Sequence, residues 1–279
     1  MRAVAARSLS SPAHRARHRL RTLACEHPAV YLPLARHKYP GPSPEVISSQ
    51  TELVIDGYTR SATTFAVYAF QLGQDRPVRL AHHLHAPAQL IVAARREVPT
   101  LLLIREPQGA ICSQLIQEPR VALPDALIAY ARFYRCLIPH AASFVVGEFG
   151  QVTQDYGTVI QRINERFGTS FGEFSNSDAS VRECLELIKQ RGTLSPVLLG
   201  FESGLVSHDQ MRRELQAIAR LPTSSRAKEA WIPSEHRNRS KALLRRQWQQ
   251  PELARLRDRA EAVYQVFRSA AGLPEPAIR

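Results

Sequence analysis

The stretch Val54-Ile-Asp-Gly-Tyr-Thr-Arg-Ser-Ala-Thr-Thr-Phe65 decides how this chain is read. Its apolar residues stop at Asp56-Gly57, a hydroxyl-rich turn follows, and the residues after Thr63 suit a helix. That is a strand, a turn and a helix start. A helix start offers unpaired backbone N–H groups and the positive end of the helix dipole, so it attracts anions. Arg60, Ser61, Thr63 and Thr64 add side-chain donors. A loop for nucleoside triphosphates reads G-x-x-x-x-G-K-[ST], with the lysine on the terminal phosphates. Here Ala62 and Thr63 stand where that glycine and lysine belong, which weakens a triphosphatase reading.

Working outward, short apolar runs alternate with helical segments. The candidate strands are 53–57, 78–83, 100–105 and 143–147, each too short for a helix. The candidate helices are 63–72, 87–96, 108–117, 125–136, 156–167, 178–191 and 209–219, with two basic helices within 234–271. Strand and helix in alternation predict an α/β fold, a parallel sheet flanked by helices on both faces, with a helical C-terminal part. Ligands of such sheets bind beyond the carboxyl ends of the strands. Three chemically useful groups end strands there: the 58–64 loop, the cluster His82, His83 and His85, and Arg105.

The loop as written, Arg60-Ser-Ala-Thr-Thr-Phe65, resembles the 5′-phosphosulfate loop of the sulfotransferases, a basic residue followed by Ser-Gly-Thr-Thr and often an aromatic. Ala62 replaces the glycine, a change tolerated at an ordinary helical φ and costly at a positive one. The same family follows its third strand with an arginine and, eight residues on, a serine. Arg105 and Ser113 have that spacing. A softer likeness runs from Val145 to Gly168, matching a late strand, acidic turn and helix. The resemblance covers roughly residues 50–170 and implies a P-loop-like sulfotransferase fold.

It also implies a co-substrate, 3′-phosphoadenosine 5′-phosphosulfate (PAPS), and sulfuryl transfer to a hydroxyl or amine of a small-molecule or carbohydrate acceptor without a metal. Thr59, Arg60, Ser61, Ala62, Thr63 and Thr64 would hold the 5′ end, with Arg60 also acting at the leaving-group oxygens. Phe65 would stack on adenine or pack in the core. Arg105 and Ser113 would take the 3′-phosphate, arginine being suited to it by its planar fork of donors. The family's C-terminal Arg-Lys-Gly clamp is absent as written, and Arg237, Arg239 and Lys241 stand in its neighbourhood. In the cytosolic branch the base is a histidine about 22 residues before the 3′-phosphate arginine, which selects His83, with His82 and His85 as the alternatives. As a metal site, His-His-x-His without a nearby carboxylate pair is a weak ligand set.

Composition bounds the rest. With 44% hydrophobic and 22% charged residues the 279-residue chain can bury a substantial core. The net charge of +12 is not spread evenly: residues 1–25 carry six arginines and no acid, 26–222 balance, and 223–279 carry the remaining excess. A neutral body argues against nucleic acid as partner. Residues 1–49 are expected to be a basic arm and linker, and 50–279 the α/β domain. The arm is Arg- and Ser-rich like an organellar transit peptide. Four scattered cysteines without a C-x-x-C pair point to a reducing, cytoplasmic setting. Two rivals are a non-catalytic sulfotransferase-like binding protein and a nucleotide-dependent kinase with an altered loop.

Overall fold

The computed structural model describes residues 11–39, 46–191, 196–219 and 235–273, with side chains except at 217–219 and 235–239. The chain begins with helices α1 (Pro12–Ala24) and α2 (Pro28–Lys38). Strand β1 (Leu53–Gly57) then feeds α3 (Thr63–Leu72), β2 (Leu80–His82) feeds α4 (Pro87–Arg95), and β3 (Thr100–Ile104) feeds α5 (Pro107–Gln117) and α6 (Leu123–Arg135). After β4 (Val145–Glu148) come α7 (Phe149–Gln154), α8 (Tyr156–Phe167), α9 (Asp178–Arg191), α10 (Pro196–Glu202), α11 (His208–Ala219), α12 (Glu235–Trp248) and α13 (Ala254–Ala270). The four strands form one parallel sheet in the order β2-β1-β3-β4.

Period-two alternation sends successive side chains to two cores, one on each face of the sheet. Val54, Leu102, Ile104 and Val146 pack with residues of α4, α5, α6 and α13. Leu53, Ile55, Leu101, Leu103 and Val145 pack with residues of α3, α8, α9 and α10. Helices on both faces explain why β3 is a continuous apolar run, and all five of its residues are buried. The second strand is shorter than the 78–83 expected. Arg79 gives its N–H to Glu52 Oε1 at 2.9 Å, and His83 turns to φ +59°, which ends an extended ladder.

Residues 12–38, expected as a basic arm, form two helices docked on the α/β body. Ser11 caps α1 by accepting from the His14 N–H, and Pro12 supplies a favoured first helical residue. Cys25, Leu32 and Ala35 enter the core on the α4 and α6 side. Arg15 Nε and Arg19 Nε lie 2.8 and 2.7 Å from the buried Asp125 carboxylate, and Arg132 Nε lies 2.6 Å from Glu26. Two of the arginines that made the segment look like an arm are thus an inward-facing grip on the domain. Burial alone would push the Asp125 carboxyl up, but the hydrogen bonds and charges of Arg15 and Arg19 outweigh it and hold it below the usual range. A depressed folded pKa gives stability that is present above the unfolded value of about 4 and lost as pH falls through the folded one. We therefore expect amides of α1 to lose hydrogen-exchange protection below about pH 4, and Asp125→Asn to show that loss at neutral pH.

No helix among the described residues is long and apolar enough to cross a membrane.

Candidate functional site

From β1 the chain moves outward to β2, then returns across β1 to reach β3, so the sheet reverses its winding between β1 and β3. The loop leaving β1 opens at that point, where open parallel sheets leave a crevice. A cavity of about 540 Å³ lies there, within the usual range for small-molecule sites. Thr59, Arg60, Ala62, Thr63, Thr64 and Phe65 line one part of it, and His83, His85, Arg105 and Ser113 another. The three strand ends singled out in the sequence meet around one volume.

The loop is held in a demanding conformation. Arg60 and Ala62 both have positive φ, +70° and +74°. Ala62 is the N-cap of α3, and no side chain caps that helix. Thr63 Oγ1 is buried with no hydrogen-bond partner among the described residues. The first turn of α3 therefore keeps the donor capacity an anion needs. The strain at Ala62 is real: a left-handed L-residue costs about 1–2 kcal/mol, less the roughly 0.4–1 kcal/mol of chain entropy that glycine would give back. Ala62→Gly is accordingly expected to stabilise the protein by about 0.5–1 kcal/mol, read as a higher urea midpoint at unchanged slope.

Arg105 is fixed on every side. Tyr130 donates its hydroxyl to the Arg105 carbonyl at 2.6 Å, the guanidinium lies over the Phe149 ring at 3.8 Å, and Nη1 donates to the Arg60 carbonyl at 3.2 Å. Ser113 is buried, and Arg60 Nε donates to its Oγ at 3.0 Å. Arg60 and Arg105, expected at opposite ends of one cofactor, are thus linked in this structure through the Arg60 backbone, with the Arg60 side chain drawn to Ser113, the serine paired with Arg105 in the sequence. Phe65 is mostly core, packed edge-on against Phe174 with ring centroids 6.1 Å apart, and shows only an edge to the cavity.

The histidines divide by their partners. His83 Nε2 meets Thr64 Oγ1 at 3.0 Å, and its Nδ1 meets His82 Nδ1 at 2.6 Å. Burial, then the neighbouring charges of His82, Arg191, His85 and Arg60, push the His83 pKa well below the usual imidazole range. His85 instead directs Nδ1 at the Gly57 carbonyl, 2.8 Å away, and at the buried Asp56 carboxylate, 3.1 Å away. His82, His83 and Glu202 bring together groups of metal-ligating type, but Arg191 already occupies both Glu202 oxygens. Glu202 is thus the ion-pair partner of Arg191 in this structure.

Val181, Leu185 and Ile188 present one face of α9 as an apolar wall, and Arg191, from the same helix, adds a cation to the lining. Lys241, on α12, lines the cavity as well. The side chains of Arg237 and Arg239 lie outside the described residues. Sequence reasoning missed Phe149 and Arg191. Phe149 sits on a short helix with no side-chain cap to announce it, while Arg191 is indistinguishable in the sequence from an ordinary last-turn cation of α9.

No protein-family profile, no curated protein and no solved structure matches the chain.

Proposed function

We propose that the cavity binds PAPS and that the protein moves its sulfuryl group to a hydroxyl or amine acceptor. One observation carries the reading: Arg60, Thr63, Thr64, the His83–His85 turn, Arg105 and Ser113, scattered over 54 positions, line a single cavity at the sheet's switch point. Among the cations that line it, Arg105 and Lys241 come from elements other than the loop, so a ligand with anionic groups at separate places suits the site better than a single phosphate. The Arg105 fork suits a terminal phosphate.

The chemistry follows from positioning and charge. The acceptor oxygen forms its bond to sulfur as the bond from sulfur to the 5′-phosphate oxygen breaks. The electron pair leaves with 3′-phosphoadenosine 5′-phosphate (PAP), and the acceptor proton goes to an imidazole of the histidine turn. The α3 N-terminus supports the leaving oxygens, joined by Arg60 once it exchanges its Ser113 contact for the ligand, and Arg105 with the released Ser113 anchors the other end. The apolar wall from α9 leaves room for an acceptor with a hydrophobic body.

Calorimetry with PAP, set against ATP with magnesium, tests the reading. Saturable binding of PAP and indifference to ATP are expected. Preference for ATP with magnesium would move the protein to the kinase reading, and PAP binding without any turnover of PAPS would leave a non-catalytic binding protein.

A further inference from the structure

We infer that His85, held by the buried Asp56 carboxylate, and not His83, is the base that takes the acceptor proton. The inference rests on the sulfuryl-transfer reading above and names a residue within it.

A base needs a nitrogen lone pair that faces the reacting atoms. Both groups at His85 Nδ1, the Gly57 carbonyl and the Asp56 carboxylate, are acceptors, so Nδ1 must carry the ring proton. The lone pair is thereby placed on Nε2. His85 lines the cavity, and its Nε2 has no hydrogen-bond partner among the described residues.

Asp56 is built to do this. It is fully buried at the end of β1, where Oδ1 accepts from the Gly57 N–H at 2.9 Å and Oδ2 from the His85 N–H at 3.0 Å. One carboxylate thus fixes the backbone on both sides of the imidazole it orients, 29 residues away in the chain. It also lies where it stabilises the imidazolium that forms once the proton arrives, the role a buried aspartate plays beside a catalytic histidine.

His83 has neither property. Its two nitrogens are engaged by Thr64 and His82, so taking a proton means giving up one of those contacts. Its depressed pKa points the same way. His83 serves better as the group that orients Thr64 at the first turn of α3.

In the step itself, the acceptor O–H gives its proton to His85 Nε2 while the acceptor oxygen bonds to sulfur and PAP departs with the electron pair of the broken S–O bond. Asp56 remains a carboxylate throughout and is a positioning residue.

Two measurements on the full chain test this. Long-range 1H–15N spectra at pH 8 are expected to show His85 protonated on Nδ1 with a free Nε2. Asp56→Asn is expected to raise the share of the opposite tautomer, a change that a purely structural role would not produce. An Nε2-protonated His85 in the wild-type chain overturns the assignment, and this reading needs no turnover. The other measurement follows PAPS breakdown to PAP and sulfate with water as acceptor. His85→Gln is expected to lower it about 10²–10⁴-fold while keeping the wild-type stabilisation by PAP, and His83→Gln to cost at least tenfold less. The reverse order overturns the base assignment alone. Failure of PAP to stabilise the wild-type chain overturns the donor reading, and the inference with it.

Discussion

Arg105→Ala is expected to weaken PAP binding by about 2–4 kcal/mol, or roughly 30- to 1,000-fold in Kd. The size comes from how completely the residue is set in advance. Its side chain is only 15% exposed, its guanidinium rests on Phe149, and its carbonyl is tied by Tyr130. Little rotamer freedom is left to lose when an anion arrives, so most of the charge-assisted bonding reaches the measured affinity. Arg105→Lys keeps the charge but loses the planar fork and the flat contact with the ring, so it should recover only part of the loss. The guanidinium also donates to the Arg60 carbonyl, so the alanine variant gives up a structural hydrogen bond worth about 1 kcal/mol. Calorimetry and a urea curve on the same sample separate the two effects. PAP binding within threefold of wild type would mean that the site holds its anion somewhere other than Arg105.

How much of this was legible in the sequence depends on the range of the interaction. Local signals read well: the short apolar runs marked β1 and β3, and the break at Asp56-Gly57 located the loop. The family resemblance that paired Arg105 with Ser113 named two residues that do line one cavity. Contacts made only in three dimensions were not legible. Nothing near Asp56 in the chain shows that it meets His85, and the three imidazoles could not be ranked until their partners were seen. The same holds for Arg15 and Arg19. Arginines without neighbouring acids read as an arm, whereas the acid these two meet, Asp125, lies more than 100 residues away on α6. The family-like loop hid a local difficulty as well: alanine at position 62 is compatible with a helix start by propensity, and only the backbone shows that φ there is positive.

Gly57→Ala is the substitution expected to damage fold and site together. Gly57 pairs with Leu103 of β3 in the parallel register, and a Cβ added to it would lie 2.3 Å from the Leu103 carbonyl oxygen. The obstacle is backbone, not a side-chain end that could swing away. β3 has no room to retreat, since β4 pairs with its other edge and all five of its residues are buried. The two strands must therefore part at the position where the loop from β1 to α3 begins. We expect a loss of about 3 kcal/mol, at the upper end for overpacking. The Gly57 N–H meets Asp56 and its carbonyl meets His85, so the same displacement disturbs the histidine turn. PAP should then fail to stabilise even the fraction of the variant that folds. Gly150, on α7, is the matched control: an added Cβ there meets nothing within 4 Å, and Gly150→Ala should be neutral or stabilising by up to about 1 kcal/mol. Equal urea midpoints for the two variants would contradict the β1–β3 register on which the position of the loop depends.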